Sequence, residues 1–475
     1  MSAPAAVFDH APAPAAKACT VNPLKMSQPL GAALAYLGIA GSMPVLHGSQ
    51  GCTAFGLVLF VRHFRESIPL QTTAMNEVAT ILGGGDNIEK ALLNIHKRAK
   101  PAFIGIASTG LTETKGDDVA GDLRRIRAAH PELDMPIVYT STPDYIGAFQ
   151  DGWAKAVTGI IESLARPGTT VKGQVNILPG CHLTPGDVAE LRDIVADFGL
   201  HPIVLPDLAG SLDGHVPDDF SPTSLGGTTV ADIGRIGASE ATIAIGEQMR
   251  HAAEVLTGKT GVPAKVFDRL TGLLAADDLF AYLSALSGRP VPEKYRRQRS
   301  QLVDAMLDAH FFFGGRRVAI GAEPDLLWTL GAWLKDMGCT LAAAVTTTDS
   351  PVLANLAACG ARLGDLEDLE AEARDCDLLI THSHGRQAAQ RLGIPLLRMG
   401  LPIFDRLGAG ARIIVGYRGT RDLTFEVGNI FLAHGHELRP DDGTPGAAGE
   451  GCGGGSGAAP ACAGACRDHH SITEA

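Results

Sequence analysis

The sequence predicts an α/β protein made of three Rossmann-like domains, each with a mostly parallel sheet flanked by helices. Two observations lead to this prediction. Short apolar stretches alternate with amphipathic helical stretches along the chain, which is typical of parallel strands covered by helices. In addition, the order of strand, loop, helix, glycine and strand occurs both at 175–205 and at 317–345. This weak repeat favours several βαβ units in series.

The first predicted domain covers residues 19–167. Pro29 begins its first helix, because a proline in the first turn costs little. The apolar run from Phe55 to Phe64 predicts a buried helix, and the polar stretch from Ser108 to Thr114 predicts a loop. The predicted helices are 29–37, 55–64, 88–99, 119–129 and 153–164, and the predicted strands include 102–107 and 137–139.

The second and third predicted domains cover residues 168–300 and 301–439, and the helix 293–313 is expected to link them. The remaining predicted helices are 188–198, 325–337, 386–392 and 422–433, and the strands are 175–178, 202–205, 317–320, 340–345 and 378–381. Residues 1–18 are rich in Ala and Pro and are predicted to form a mobile arm. Residues 440–475 are rich in Gly, Ala and Ser, which predicts a disordered tail.

Composition excludes several classes of protein. A net charge of −12 over 475 residues argues against nucleic-acid binding, which normally requires a basic surface. The longest apolar run near Cys52 is far shorter than the roughly 20 residues of a membrane span. The nine cysteines are scattered through a long chain, and the N-terminal arm has no apolar core typical of a signal peptide. A reducing cytoplasm is therefore expected.

Cys52 is the candidate metal ligand. It ends the stretch His47-Gly-Ser-Gln-Gly-Cys52, whose glycines allow a tight bend, and it precedes the predicted helix. A cysteine in the first turn of a helix faces free N–H groups and the positive end of the helix dipole. Both favour the thiolate, which is the form that binds iron. Buried cysteines are often only small apolar residues, so this pattern alone leaves both roles open.

Two glycine-containing motifs predict no nucleotide site. Gly258-Lys259-Thr260 resembles the end of a phosphate-binding loop, but Ala253 stands where the first glycine belongs, and the motif closes a helix instead of opening one. Gly83-Gly84-Gly85 does not match a dinucleotide-binding pattern and is better explained by a tight turn.

Several other cysteines and histidines are weaker candidates for ligands. His382 and His384 follow a predicted strand, on the side where such sheets bind ligands, although a loop histidine that bonds the backbone is the commoner case. Cys181-His182 has a similar position in the second domain. Cys339, Cys359 and Cys376 are expected to pack in the interior. The tail contains further soft ligands whose role stays open, with a solvated tail as the default, namely Cys452, Cys462, Cys466, His469 and His470.

The segments Lys25-Met-Ser27-Gln-Pro-Leu-Gly-Ala32 and His47 to Phe55 resemble the cluster-binding segments of the nitrogenase molybdenum-iron protein β-subunit family. Ser108-Thr-Gly110 with Gly116-Asp-Asp118 resembles the third such segment, and the Gly83-Gly84-Gly85 turn and the loop from Thr381 to Gly385 also fall in family order. The resemblance covers about residues 20–435 and implies the fold of those subunits, with three Rossmann-like domains.

The departures from the family pattern indicate a branch. The resemblance implies that a catalytic β-subunit has cysteines at the positions of Ser27, Cys52 and Gly110, and here only Cys52 is a thiol. Serine is a poor ligand and glycine has no side chain. The chain is therefore similar to the β-like subunit of the scaffold complex on which the iron–molybdenum cofactor is assembled. Whether Ser27 ever binds iron stays open.

This resemblance implies an α2β2 heterotetramer with a NifE-like α subunit and a [4Fe-4S] cluster at each interface between unlike subunits. Cys52 would supply one ligand and the partner three. The cofactor precursor, an iron–sulfur core derived from NifB, would be held mainly by the partner, and the ATP-hydrolysing nitrogenase iron protein would bind transiently. The chain itself would be a non-catalytic subunit.

Three alternatives remain at this point. The first alternative is a catalytic nitrogenase β-subunit, and the second is a subunit of the related light-independent chlorophyllide or protochlorophyllide reductase. The third is a Rossmann-like metabolite-binding protein in which Cys52 is only a core residue. Iron content separates the first from the scaffold subunit, and substrate dependence separates the second.

Overall fold

The computed structural model describes residues 22–434, and in that range every pair of neighbouring strands is parallel. The strands form three separate sheets, each drawn from one continuous stretch of the chain. The predicted arm at 1–18, the predicted tail at 440–475 and the tail cysteines and histidines lie outside the described residues.

The first sheet has the strand order β2-β1-β3-β4. Strands β1 and β3 are buried along their whole length, because helices cover both faces of a parallel sheet. The strands are β1 Ser42–His47, β2 Gln71–Thr72, β3 Phe103–Ser108 and β4 Ile137–Thr140. The helices are α1 Gln28–Leu37, α2 Gln50–Phe64, α3 Glu77–Leu82, α4 Gly85–Ala99, α5 Gly110–Lys115, α6 Val119–Ala129 and α7 Phe149–Leu164.

The second sheet has the order β6-β5-β7-β8, with β5 and β7 buried in its centre. The strands are β5 Gln174–Leu178, β6 His201–Val204, β7 Ala241–Ile245 and β8 Ala264–Phe267. The helices are α8 Pro185–Asp197, α9 Val230–Arg235, α10 Arg250–Thr260, α11 Leu273–Ser287 and α12 Glu293–Phe313. Gly258-Lys259-Thr260 ends α10, as the sequence predicted.

The third sheet has five strands in the order β11-β10-β9-β12-β13. Its strands are β9 Arg317–Ala322, β10 Thr340–Thr346, β11 Arg362–Leu363, β12 Leu378–Thr381 and β13 Leu396–Arg398. The helices are α13 Pro324–Asp336, α14 Leu366–Glu372, α15 Arg386–Leu392 and α16 Gly416–His434. The predicted α/β class with three parallel sheets is confirmed, while the division of the chain at residues 167 and 300 stays a prediction.

Two local predictions were wrong in part. The helix expected after Cys52 is present as α2, with Leu59 and Phe60 buried, but Phe55, Val58 and Val61 are exposed. The stretch Ser108–Thr114 was expected to be a loop, but it contains the short helix α5. A six-residue helix is too short to show a helical period in the sequence.

A buried network of polar side chains joins elements of all three sheets. The backbone N–H of Gln150, on α7, donates to Glu323 at 3.3 Å, and the Gln150 side chain accepts from the N–H of Asp325 at 3.3 Å. Gln248, which follows β7, donates to Asp325 through its backbone at 3.0 Å and its side chain at 2.9 Å. Burial raises the pKa of Glu323 to about 8 and that of Asp325 to about 6.

None of the helices in residues 22–434 combines the length and the apolar character that crossing a bilayer requires.

Candidate iron–sulfur site at the start of α2

Cys52 lies in the first turn of α2, two residues after the helix begins at Gln50. Ser49, the residue before the helix, has an extended backbone, and its hydroxyl lies 3.4 Å from the Cys52 sulfur. The thiol is free and exposed. The first backbone N–H groups of a helix have no partner inside the helix. The turn therefore offers an accessible sulfur beside hydrogen-bond donors suited to anionic sulfur.

The structure brings together the three segments that the sequence singled out. Ser27 directly precedes α1, and Thr109 directly precedes α5. The carbonyl of His47 accepts hydrogen bonds from the hydroxyls of Thr109 at 3.0 Å and Thr112 at 3.1 Å. A side chain at Gly48 would meet Thr109. The segment that contains Cys52 is thus packed directly on the segment that contains Gly110.

Asp144 connects the first and third of these segments, and sequence reasoning missed it. Its carboxylate accepts from the N–H of Gly110 at 3.2 Å, and its carbonyl accepts from Lys25 at 3.4 Å. Burial raises the pKa of Asp144. Asp144 lies in the loop after β4, 34 residues beyond Gly110. The only available signal was its place at the carboxyl end of a neighbouring parallel strand.

Gly83-Gly84-Gly85 forms the turn between α3 and α4, as the sequence predicted, and Gly84 also packs closely against its neighbours. A Cβ on Gly84 would lie 2.5 Å from Cε1 of His47, and Gly83 has a positive φ of 124°, which favours glycine. His47 is buried, with Nδ1 2.9 Å from the Thr73 hydroxyl and Nε2 3.5 Å from Asp117. Desolvation outweighs the nearby Asp117 and lowers the pKa of His47.

Apolar side chains are exposed on α2 and on the elements that contain or contact the segment of Gly110, and we call them together the Cys52 surface. Phe55, one turn further along α2, is 68% exposed, and Tyr145, beside Asp144, is 63% exposed. Soluble monomers rarely expose contiguous apolar patches without an interaction role. Its members are Phe55 and Val58 on α2, Val78 and Ile81 on α3, Leu111 on α5, and Tyr145 and Ile146 after β4.

His382 has a structural role, because its ring contacts the backbone at two places. Its Nε2 lies 3.0 Å from the carbonyl of Leu24, and its Nδ1 accepts from the N–H of His384 at 3.3 Å. Both ring nitrogens therefore have backbone partners. Burial lowers the pKa of His382 to about 4, so the ring is neutral near pH 7. His384 is half-buried against the ring of Phe404.

Cys181 and His182 line a cavity of about 70 Å³ between the carboxyl ends of β5, β9 and β12. Burial lowers the pKa of His182 to about 4 and raises that of the Cys181 thiol. The backbone N–H of Cys181 donates a hydrogen bond to the side-chain oxygen of Gln248 at 3.3 Å. Cys339 and Cys376 are buried, as expected, whereas Cys359 is partly exposed. Across residues 22–434, no three His, Cys, Asp or Glu side chains are grouped closely enough to hold a metal ion.

Comparison with known proteins identifies the family. The model of the family described as nitrogenase component 1 type oxidoreductase matches residues 27–432. The chain belongs to this family. It is 62% identical over 428 residues to the nitrogenase iron-molybdenum cofactor biosynthesis protein NifN of Bradyrhizobium diazoefficiens, covering 89% of this chain and 91% of that protein.

Other relatives agree with this placement. The NifN of Nostoc sp. is 52% identical, with 88% of this chain and 94% of that protein covered. A solved structure titled "Nitrogenase Cp1 at pH 6.5" has a TM-score of 0.83 and 32% identity, with 88% of this chain and 94% of that chain covered. Within the nitrogenase component 1 family, the chain therefore groups with the NifN proteins.

Proposed function

We propose that this chain is the β-like subunit of the scaffold complex on which the nitrogenase iron–molybdenum cofactor is assembled. In this proposal, Cys52 supplies one ligand to a [4Fe-4S] cluster, and a NifE-like α subunit supplies the other three. The observation that carries the proposal is an exposed, free thiol in a helical first turn, bordered by an apolar surface. A ligand for a cluster shared between two chains must be accessible at an interface.

The residues around Cys52 suit one thiolate ligand and not three. Ser27 and Gly110, from the two adjoining segments, offer no thiol. The N–H groups of the first turn of α2 and the Ser49 hydroxyl are donors that would stabilise anionic sulfur. A bound cluster of this type supplies one-electron transfer, and its potential depends on hydrogen bonds and solvent exposure.

The Cys52 surface is the proposed interface with the α subunit. Aromatic anchors such as Phe55 and Tyr145 dominate the stability of many interfaces. Covering them would also remove the cluster from water. The remaining roles are part of the same proposal. The partner holds most of the NifB-derived cofactor precursor, the nitrogenase iron protein binds transiently, and this chain carries no catalytic group and acts in the cytoplasm.

A second surface supports an α2β2 assembly, since it has features expected of contact with another copy of this chain. Arg62 lies 4.1 Å and Arg386 lies 5.5 Å from the ring centre of Phe404, while Arg65 donates to the Phe404 carbonyl at 3.1 Å. Among the described residues, these three arginines form no ion pair with a carboxylate. These arginines form a basic patch at the C-terminal end of α2, although the net charge of the whole chain is −12.

An acidic loop lies next to this basic patch. The N–H of Gly214, in the loop between β6 and α9, donates to Glu66 at 2.9 Å, and Glu66 directly follows Arg65. The loop of Gly214 also carries Asp218 and Asp219 and exposes Phe220. Adjacent patches of opposite charge are self-complementary under a twofold axis, since each patch faces its counterpart in the second copy.

Iron and sulfide analysis of the complex tests the proposed function. The chain is co-expressed with its NifE-like partner and purified without oxygen. About four iron atoms for each pair of unlike subunits are expected beyond those of the bound precursor. Eight would favour a catalytic nitrogenase β-subunit, and a complex that reduces chlorophyllide would favour the reductase alternative. Either result would contradict the scaffold assignment.

A further inference from the structure

Asp144 places a carboxylate on the Cys52 surface. It precedes the exposed residues Tyr145 and Ile146 and accepts from the N–H of Gly110, the first residue of α5. Its backbone carbonyl accepts from Lys25, two residues before Ser27. Asp144 is therefore anchored to both adjoining segments, to one through its carboxylate and to the other through its backbone carbonyl.

The anchoring leaves part of the carboxylate unused. One oxygen accepts from Gly110 at 3.2 Å, whereas Oδ1 is buried and has no hydrogen-bond partner. A buried acceptor without a partner is unfavourable by about 1–3 kcal/mol and needs an explanation. The ammonium of Lys25 is the charged group that acts on Asp144, and it contacts the carbonyl, not the carboxylate.

We propose that Asp144 tunes the iron site, because its ionised carboxylate lowers the reduction potential of the cluster bound at Cys52. This inference rests on the proposed function. It accounts for a carboxylate that accepts from a backbone N–H while the nearest lysine contacts the Asp144 carbonyl instead. When the α subunit covers Tyr145 and Ile146, the local dielectric constant falls, and the field of the ionised carboxylate at the cluster becomes stronger.

The sign of the effect follows from charge. Reduction adds an electron to the cluster, and a nearby negative charge disfavours that state. Removing the charge of Asp144 should therefore make reduction easier. Removing the positive charge of Lys25 should have the opposite effect. Opposite shifts from two neighbouring residues are not expected from a general loosening of the site.

The test uses the complex with the NifE-like partner, purified without oxygen, in redox titrations followed by electron paramagnetic resonance. Asp144→Asn, which keeps an acceptor for Gly110, is expected to shift the potential to a more positive value, and Lys25→Gln to a more negative one. Asp144→Glu should restore a potential near that of the wild type. Asp134→Asn is the matched control, since this exposed residue precedes β4, at the opposite end of the strand.

Iron content is measured for every variant. An unchanged potential in Asp144→Asn with full iron content would overturn the inference and leave the proposed function intact. Loss of the cluster in Asp144→Asn would also overturn it, because a residue that acts only through its charge leaves the cluster bound. Full iron content in a Cys52→Ala complex would instead contradict the proposed function itself.

Discussion

At the scale of single residues, the sequence identified positions whose neighbours it could not identify. The segments of Ser27, Cys52 and Gly110 were singled out from their residues, and the structure packs them together. The contact between Asp144 and Gly110 was not predicted, because it depends on the pairing of β3 with β4, which the sequence alone does not give. Gly84 was predicted to form a turn, but its close contact with His47 depends on the folding of two distant segments.

Gly84→Ala should destabilise the first sheet region. The added Cβ would lie 2.5 Å from the buried His47 ring and 2.9 Å from the Met75 sulfur, and overpacking of this kind costs about 1–3 kcal/mol. Chemical unfolding of the purified chain measures the change. Gly234→Ala is the control, since a Cβ there meets nothing within 4 Å, and it should be neutral or stabilise α9 slightly. Equal stability of the two variants would contradict the packing role of Gly84.

At the scale of elements, hydrophobic pattern predicted most helices and strands but not what covers them. The helix α6 and the long helix α12 have the predicted bounds, Val119–Ala129 and Glu293–Phe313. Helix α2 was predicted to be buried, yet only part of its apolar surface is buried, and Phe55 and Val58 are exposed. An apolar stripe indicates that a helix face avoids water, and it does not distinguish the protein's own core from a partner's surface.

Phe55→Lys should weaken association with the α subunit without unfolding the chain, because the ring is already 68% exposed. Loss of a central aromatic anchor is expected to weaken binding roughly tenfold or more. Sedimentation analysis or co-purification with the partner measures the effect. The control is Phe311→Lys on α12, where the ring is 78% exposed and distant from Cys52 in sequence. If both variants bound the partner equally well, the Cys52 surface would not be the interface.

At the scale of the whole molecule, the alternation of strands and helices predicted three parallel sheets, and the structure confirms them. How the sheets meet was beyond the sequence, since Gln150, Gln248 and Asp325 are separated by 77 residues or more. No local period relates residues at such distances. The network they form is buried, so the ionisation of its carboxyl groups affects the stability of the fold.

Glu323→Gln should remove a pH dependence from this junction. Because the folded-state pKa of Glu323 is raised to about 8, the folded chain binds a proton that the unfolded chain has already released. The stabilisation of the folded state by the proton on Glu323 is therefore present at low pH. It is lost as pH rises from about 5 to 8, and the free energy of unfolding falls by roughly 1 kcal/mol for each pH unit. Thermal unfolding between pH 6 and 9 measures the difference between variant and wild type.

The wild-type chain should lose stability relative to Glu323→Gln across this range. The exposed Glu254→Gln variant should follow the wild type, because that carboxyl is exposed on α10. A constant difference between Glu323→Gln and wild type at all pH values would mean that Glu323 does not titrate in the folded protein.

The most direct test of the central claim is the iron–sulfur content of the complex that carries Cys52→Ala, purified without oxygen with its α subunit. Iron, sulfide and the paramagnetic signal of the reduced cluster should all decrease in this variant, whereas Cys359→Ala, a change of a partly exposed cysteine, should retain them. A Cys52→Ala complex with its full complement of iron and an unchanged spectrum would show that Cys52 is not a cluster ligand.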